Sequence, residues 1–180
     1  LILRALRSRK HPVLLTLRTS DEGGHFNWKS TERIGWFEEL LPYSDAIDVE
    51  LRNVTALKPL ITKARLQQRG IILSTHSLRR KITLGRGHRW IEDFSHHHAN
   101  IYKIASLTRT RKDLEVLARL LMDHPKKRLA IMGTGPMASA SRLVLPLLGS
   151  RLVYGYLDTP SAPGQPSAAE LRERLAEWLA

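Results

Sequence analysis

The chain has 180 residues, enough for one domain with a core of its own, and it contains no cysteine. The missing thiols exclude disulfides, thiolate catalysis and cysteine-ligated metal, and they fit a reducing compartment. The formal net charge of +12 permits anionic ligands, but the basic residues are scattered and follow no zinc-finger or single-strand-binding pattern, which disfavours nucleic acid.

The opening Leu1-Ile2-Leu3-Arg4-Ala5-Leu6-Arg7 is too short and too charged for a signal peptide. It looks like the tail of an amphipathic helix, so further residues are expected upstream. No run approaches the roughly 18 uncharged apolar residues of a membrane-spanning helix. Pro12 ends the first helical piece, and Val13 to Leu17 reads as a strand. Ser30 to Leu41 reads as a helix stopped by Pro42, Ala46 to Glu50 as a strand, and Val54 to Gln68 as a helix closed by Gly70. A strand over 71–75 follows, then a helix within 86–98 and a strand over 101–106. Thr110 to Met122 is amphipathic, with Leu114, Leu117, Ala118 and Leu121 on one face. Arg128 to Met132 is the fifth strand, Ala138 to Leu148 a helix, Leu152 to Tyr156 the sixth strand. Ser167 to Trp178 is the closing helix, with Ser167 as its N-cap and Glu170 three residues later.

This strand–helix alternation predicts an α/β fold, a parallel sheet with helices outside, in one domain over residues 1–180. About six βα units do not close an eight-stranded barrel. The expectation is an N-terminally incomplete (β/α)8 TIM-barrel type, with two units preceding residue 1, rather than an open six-stranded sheet.

Lys103 lies in the apolar run Ile101-Tyr102-Lys103-Ile104-Ala105, where a charged side chain is a poor filler. Burial lowers a lysine's pKa, and a neutral amine attacks a carbonyl to form a Schiff base. His76 ends the preceding strand, so parallel strands bring it to the same sheet edge. The other strand ends supply Arg18 and Glu22, Asp48 and Glu50, Gly133-Thr134-Gly135, and the loop 159–166, with Arg142 in the helix after the fifth strand. Together they make a cationic cleft suited to an anionic carbonyl compound. Each has a plainer reading. An interior lysine can snorkel or pair with a carboxylate, a lone histidine is more often structural, and Arg18 with Glu22 could be a simple ion pair. Gly133-Thr134-Gly135 lacks the spacing of a phosphate-binding fingerprint. His96-His97-His98 has no nearby acidic partner in the sequence, and no metal site is expected there.

In order along the chain stand Thr16-Leu17-Arg18 with Glu22-Gly23-Gly24, Asp48-Val49-Glu50, Ser74-Thr75-His76, Lys103-Ile104-Ala105, Ser141-Arg142 and Ser161-Ala162-Pro163-Gly164-Gln165. From about His11 onward this ordered set resembles the type I 3-dehydroquinate dehydratases, the Schiff-base enzymes of the shikimate pathway. The resemblance implies an imine at Lys103, His76 as general base and acid, and Glu22 holding His76. It implies Arg142, Ser161 and Gln165 as substrate ligands under a closing loop, Arg18 touching substrate or ordering the acidic residues, and Glu50 in the polar network around the lysine. It implies 3-dehydroquinate as the anionic substrate, no cofactor, no metal and a cytoplasmic location. Two features depart from the family. Its Glu-x-Arg pair, carried by a strand ahead of those seen here, is absent, and Ser77-Leu78-Arg79-Arg80 is more basic than usual. The first departure motivates two expectations: a homodimer or other partner covering the open barrel edge, and, as an alternative function, a degenerate ligand- or partner-binding protein. A different Schiff-base lyase would retain Lys103 without needing Ser161 to Gln165.

Overall fold

The computed structural model describes residues 6, 10–27, 29–162 and 164–179. Apart from Leu6, the helix expected over residues 1–9 lies outside them. The chain forms two compact units. One is built on residues up to Thr75 with His98–Asn100, the other on His76–His97 with Ile101 onward.

In the first unit, strands β1 (Leu14–Thr16), β2 (Ala46–Glu50) and β3 (Gly70–Ser77) pair in parallel in that order. The last two residues of β3 belong to the second unit. Helix α1 (Ser30–Leu40) starts where the Glu32 carboxylate accepts the Lys29 amide, and it passes into a 3-10 turn at Leu41–Tyr43, as Pro42 requires. Helix α2 runs over Lys58–Leu66 and not from Val54. Pro59 therefore sits in a first turn, where its missing N–H costs nothing, and Leu51–Asn53 form a 3-10 turn ahead of it. The residue that turns left-handed after α2 is Gln68, at φ 55°, and not Gly70.

Ile47, Asp48, Val49 and Glu50 are all buried, as expected of a parallel strand covered on both faces. Side chains alternate along a strand, so Ile47 and Val49 share one face and the two carboxylates share the other. The carboxylate face is the one that matters for the site. Phe37 of α1, with Leu60, Ile61 and Ala64 of α2, is buried in the core of this unit.

In the second unit, β4 (Ile101–Leu107) and β5 (Leu129–Thr134) pair in parallel, with Lys103 opposite Ala130. Helix α3 (Leu84–Ser95) is capped by the Thr83 hydroxyl, which accepts the Arg86 amide. Helix α4 (Arg111–Asp123) opens with a reciprocal box. The Thr110 hydroxyl accepts the Asp113 amide, and the Asp113 carboxylate accepts the Thr110 and Arg109 amides. Leu117, Leu120 and Leu121 form its buried face, so Leu120 takes the core position that periodicity gives to Leu114. Helix α5 (Ala138–Leu147) follows a 3-10 turn at Gly135–Met137. Helix α6 (Ala168–Leu179) begins as expected, with the Ser167 hydroxyl accepting the Glu170 amide at 3.1 Å.

The sixth strand does not form. The backbone of Tyr156 bonds instead to the chain's own return. The Tyr156 amide donates to the Pro166 carbonyl, the Ala168 amide donates to the Tyr156 carbonyl, and a single parallel bridge joins Tyr156 to Ser167. Gly155 permits this approach: a Cβ there would lie 2.5 Å from the Ala168 backbone. The described residues thus carry five strands where six were expected. Strand β4 also runs past residue 105, so Lys103 lies inside a strand and not at its end.

Candidate active site

The carboxylate face of β2 meets two arginines in the first unit. Arg18, just after β1, reaches Asp48 at 2.8 Å and Glu50 at 3.1 Å, and donates to the Ser74 hydroxyl at 2.7 Å. Ser74 in turn donates to Asp48 at 2.5 Å. Arg33 projects from α1, donates through Nε to the Leu17 carbonyl at 2.8 Å, and pairs through Nη2 with Glu50. The Glu50 carboxylate is fully buried and has four donors: Arg18 and the Thr19 amide on Oε1, Arg33 and the Asn53 amide nitrogen on Oε2. That matches the accepting capacity of an ionised carboxylate.

Burial pushes the Glu50 carboxyl up, but Arg18, Arg33 and the Thr19 amide outweigh it and hold its pKa below the usual carboxylate value. Arg18 shows the converse. Burial works against its charge, and Asp48, Glu50 and Glu22 together raise its pKa above the ordinary arginine value. Glu22, buried in a 3-10 turn at Ser20–Glu22, therefore belongs to the same electrostatic neighbourhood. This group of charges is nearly self-neutralising and rigidly hydrogen-bonded. It is built to hold geometry.

The second unit carries a different group. Lys103 is buried, and its Nζ lies 4.3 Å from the centre of the Tyr154 ring. The Tyr154 carbonyl accepts Arg142 Nε at 2.8 Å and Gln165 Nε2 at 3.3 Å. Arg142, on α5 and also buried, gives Nη1 to the carbonyls of Gly133 (2.7 Å) and Ala138 (3.2 Å). Its partners among the described residues are all neutral carbonyls, and burial pulls its pKa down to about 10. Ser161, in the exposed loop after Tyr156, donates its hydroxyl and its amide to Gln165 Oε1 at 2.8 and 2.9 Å. His76 is half-buried near the end of β3.

The first unit thus joins Arg18 and Glu50 directly, with Glu22 beside them. The second joins Lys103, Arg142, Gln165 and Ser161 through Tyr154.

The model of the type I 3-dehydroquinase family matches residues 2–178. A 3-dehydroquinate dehydratase of Methanocella arvoryzae is 32% identical over 168 residues, which cover 91% of this chain and 74% of that protein. The chain belongs to the type I 3-dehydroquinase family. Another relative, a 3-dehydroquinate dehydratase of Methanothrix thermoacetophila, is 31% identical over 178 residues, covering 97% of this chain and 74% of its own. Among solved structures, the type I 3-dehydroquinate dehydratase of Clostridium difficile superposes with a TM-score of 0.88 at 24% identity, over 98% of this chain and 74% of that one. The 3-dehydroquinate dehydratase of Aquifex aeolicus gives 0.80 at 25%, over 98% of this chain and 78% of that one. The fold is accordingly the α/β barrel type of this family.

Within this dehydroquinase, sequence reasoning missed two residues. Arg33 stands on a helix whose other charges are solvated, and its one signal is Phe37 four residues on. The two side chains stack, with the guanidinium carbon 5.5 Å from the ring centre. Tyr154 reads in the sequence as one apolar residue among several in the expected sixth strand. Nothing in the order Leu152-Val153-Tyr154 says that its ring faces a lysine 51 positions earlier.

Proposed function

We propose that this dehydroquinase converts 3-dehydroquinate to 3-dehydroshikimate through an imine at Lys103, in the cytoplasm, as a step of the shikimate pathway. One observation carries the reading. Arg142 is a buried guanidinium whose partners among the described residues are neutral acceptors, tied through Tyr154 to a buried lysine. A buried cation without a counter-charge is unfavourable, and an incoming carboxylate relieves it. The group therefore suits a substrate that brings both an anion and a carbonyl.

The neutral Lys103 amine adds to the substrate ketone, and protonated His76 gives its proton to the carbinolamine hydroxyl, which leaves as water to give a protonated imine. That cation acts as an electron sink, which acidifies the neighbouring carbon-bound proton. His76 takes this proton, and the electron pair left behind is held as an enamine. The same imidazole then returns the proton to the departing hydroxyl, which leaves as water. Hydrolysis of the conjugated imine frees product and amine. The sequence of steps needs no metal and no diffusible cofactor.

In this scheme Arg142 holds the substrate carboxylate, and Ser161 and Gln165 bind its hydroxyls from the loop 159–166. Glu22 orients His76. Arg18 and Glu50 keep the acidic neighbourhood ordered. Ser161 and Gln165 bond to each other, which supports a loop that arrives as one piece.

Borohydride reduction in the presence of 3-dehydroquinate, followed by peptide mass spectrometry, tests the reading. The expected adduct sits on Lys103, and Lys103→Ala loses adduct and turnover together. An adduct on another lysine, or turnover without any adduct, overturns the assignment. An adduct at Lys103 without product identifies a ligand-binding protein that has lost turnover.

A further inference from the structure

We infer that Tyr154 is a positioning residue for the imine chemistry, acting through the π-face of its ring on the nitrogen of Lys103; this rests on the function proposed above. The Nζ–ring distance of 4.3 Å is within the range at which an aromatic face attracts a cation. Lys103 is buried, so the attraction is little weakened by water. The nitrogen bears positive charge in two forms: as the ammonium that the amine becomes on protonation, and as the protonated imine. The ring opposes the first, by stabilising the ammonium that must lose a proton before attack. It assists the second, by stabilising the electron sink on which proton abstraction depends.

The main chain of the same residue does a second task. Its carbonyl is shared by Arg142 Nε and Gln165 Nε2. Gly155 follows at once and lets the chain pass against Ala168, which fixes the backbone at this point. One residue therefore sets the spacing between the amine that bonds to the substrate, the guanidinium that holds its carboxylate, and the glutamine of the closing loop. A substitution that keeps the backbone but removes the ring separates the two tasks.

The test uses the full chain with 3-dehydroquinate, comparing wild type with Tyr154→Phe and Tyr154→Leu. Tyr154→Phe keeps the ring and retains kcat within about twofold. Above the acid limb, where the resting amine is neutral and only the imine carries the charge, Tyr154→Leu lowers kcat by roughly three- to thirtyfold with KM changed far less, the range expected from a buried cation–π contact. Its acid limb for borohydride trapping moves to lower pH by about 0.4–1.5 units, because the ammonium has lost the contact with the ring. Fluorinated phenylalanines installed at position 154 keep the shape while draining the ring face. They reproduce the downward pH shift in order of fluorine number, and they decide the matter even if Tyr154→Leu folds poorly. A Leu variant with wild-type kcat and pH limb overturns the inference, as does a Phe variant as impaired as Leu or a fluorine series with no trend. Absence of trapping and turnover in the wild type itself would instead strike the proposed function.

Discussion

The buried Glu50 network gives a prediction whose size can be worked out from its contacts. Arg33→Met removes the guanidinium that pairs with Glu50 Oε2 and donates to the Leu17 carbonyl, while filling similar volume. Glu50 keeps Arg18, the Thr19 amide and Asn53. Stripping one partner from a buried ion pair costs about 3–5 kcal/mol, and the three surviving donors place this case near the low end, about 3 kcal/mol. For a chain of this length that lowers Tm by roughly 6–12 °C. Adding Glu50→Gln removes the charge left behind, so the double variant is more stable than the sum of the singles, by at least about 1 kcal/mol of coupling.

The same network sets an acid limit. Glu50 has a folded pKa below its ordinary 4.5, so the folded state binds fewer protons. Its stabilising contribution is complete above that ordinary value and is lost as pH falls through the folded one. Without Arg33 the folded pKa rises, and the acid-unfolding midpoint moves to higher pH. Urea titrations at pH 7 and pH 4 measure both effects. An Arg33→Met variant within 0.5 kcal/mol of wild type (the ~0.5 kcal/mol scatter of ordinary surface changes), with no coupling to Glu50→Gln, would refute the reasoning.

Arg142→Lys keeps a charge but loses the fork that spans three carbonyls, and steady-state kinetics is expected to show KM raised by about 10- to 100-fold. Gly155→Ala and Gly85→Ala make an opposed pair in thermal melts. The first forces a Cβ to 2.5 Å from fixed backbone and destabilises by roughly 3 kcal/mol or more, whereas the second meets nothing within 4 Å on helix α3 and stabilises by about 0.5–1 kcal/mol. His124, packed with its Nε2 2.8 Å from His88 Nδ1, has its pKa lowered by burial and then by His88. The folded state therefore binds fewer protons there, stability falls as pH drops below 6.5, and His124→Gln flattens that slope in pH-dependent melts.

Much of the architecture was legible because it rests on local rules. The Thr110 and Ser167 caps, the stop at Pro42 and the parallel strands over 46–50 and 101–106 follow from capping chemistry, missing amides and apolar runs. The sixth strand failed because Leu152 to Tyr156 has a strand's composition, but Tyr156 bonds to the return at 166–168 and the Tyr154 carbonyl to side chains, a tertiary choice that no five-residue pattern records. The start of α2 failed because Pro59 fits a first turn better than an interior. At the site, Lys103, Arg18, Glu50 and Arg142 were legible as charges standing in apolar runs or in the ordered motif set. Arg33 and Tyr154 were not, since one looks like a solvated helix residue and the other like ordinary core. Their roles come from what faces them across the fold.

That difference between the charges is the clearest functional signal in the molecule. Arg18 and Arg33 each stand against carboxylates, and the pKa values of Arg18 and Glu50 both move toward their charged forms. Among the described residues Arg142 stands against carbonyls alone, and its pKa moves the other way. The three carbonyls return part of the desolvation of that cation, but no carboxylate among the described residues returns the rest. The return comes when an anion binds: its charge supplies the missing counter-ion, and part of the cost already borne in folding is recovered as affinity. On the function proposed above, Arg142 is where the substrate's charge is expected, and the shared Tyr154 carbonyl ties that place to Lys103.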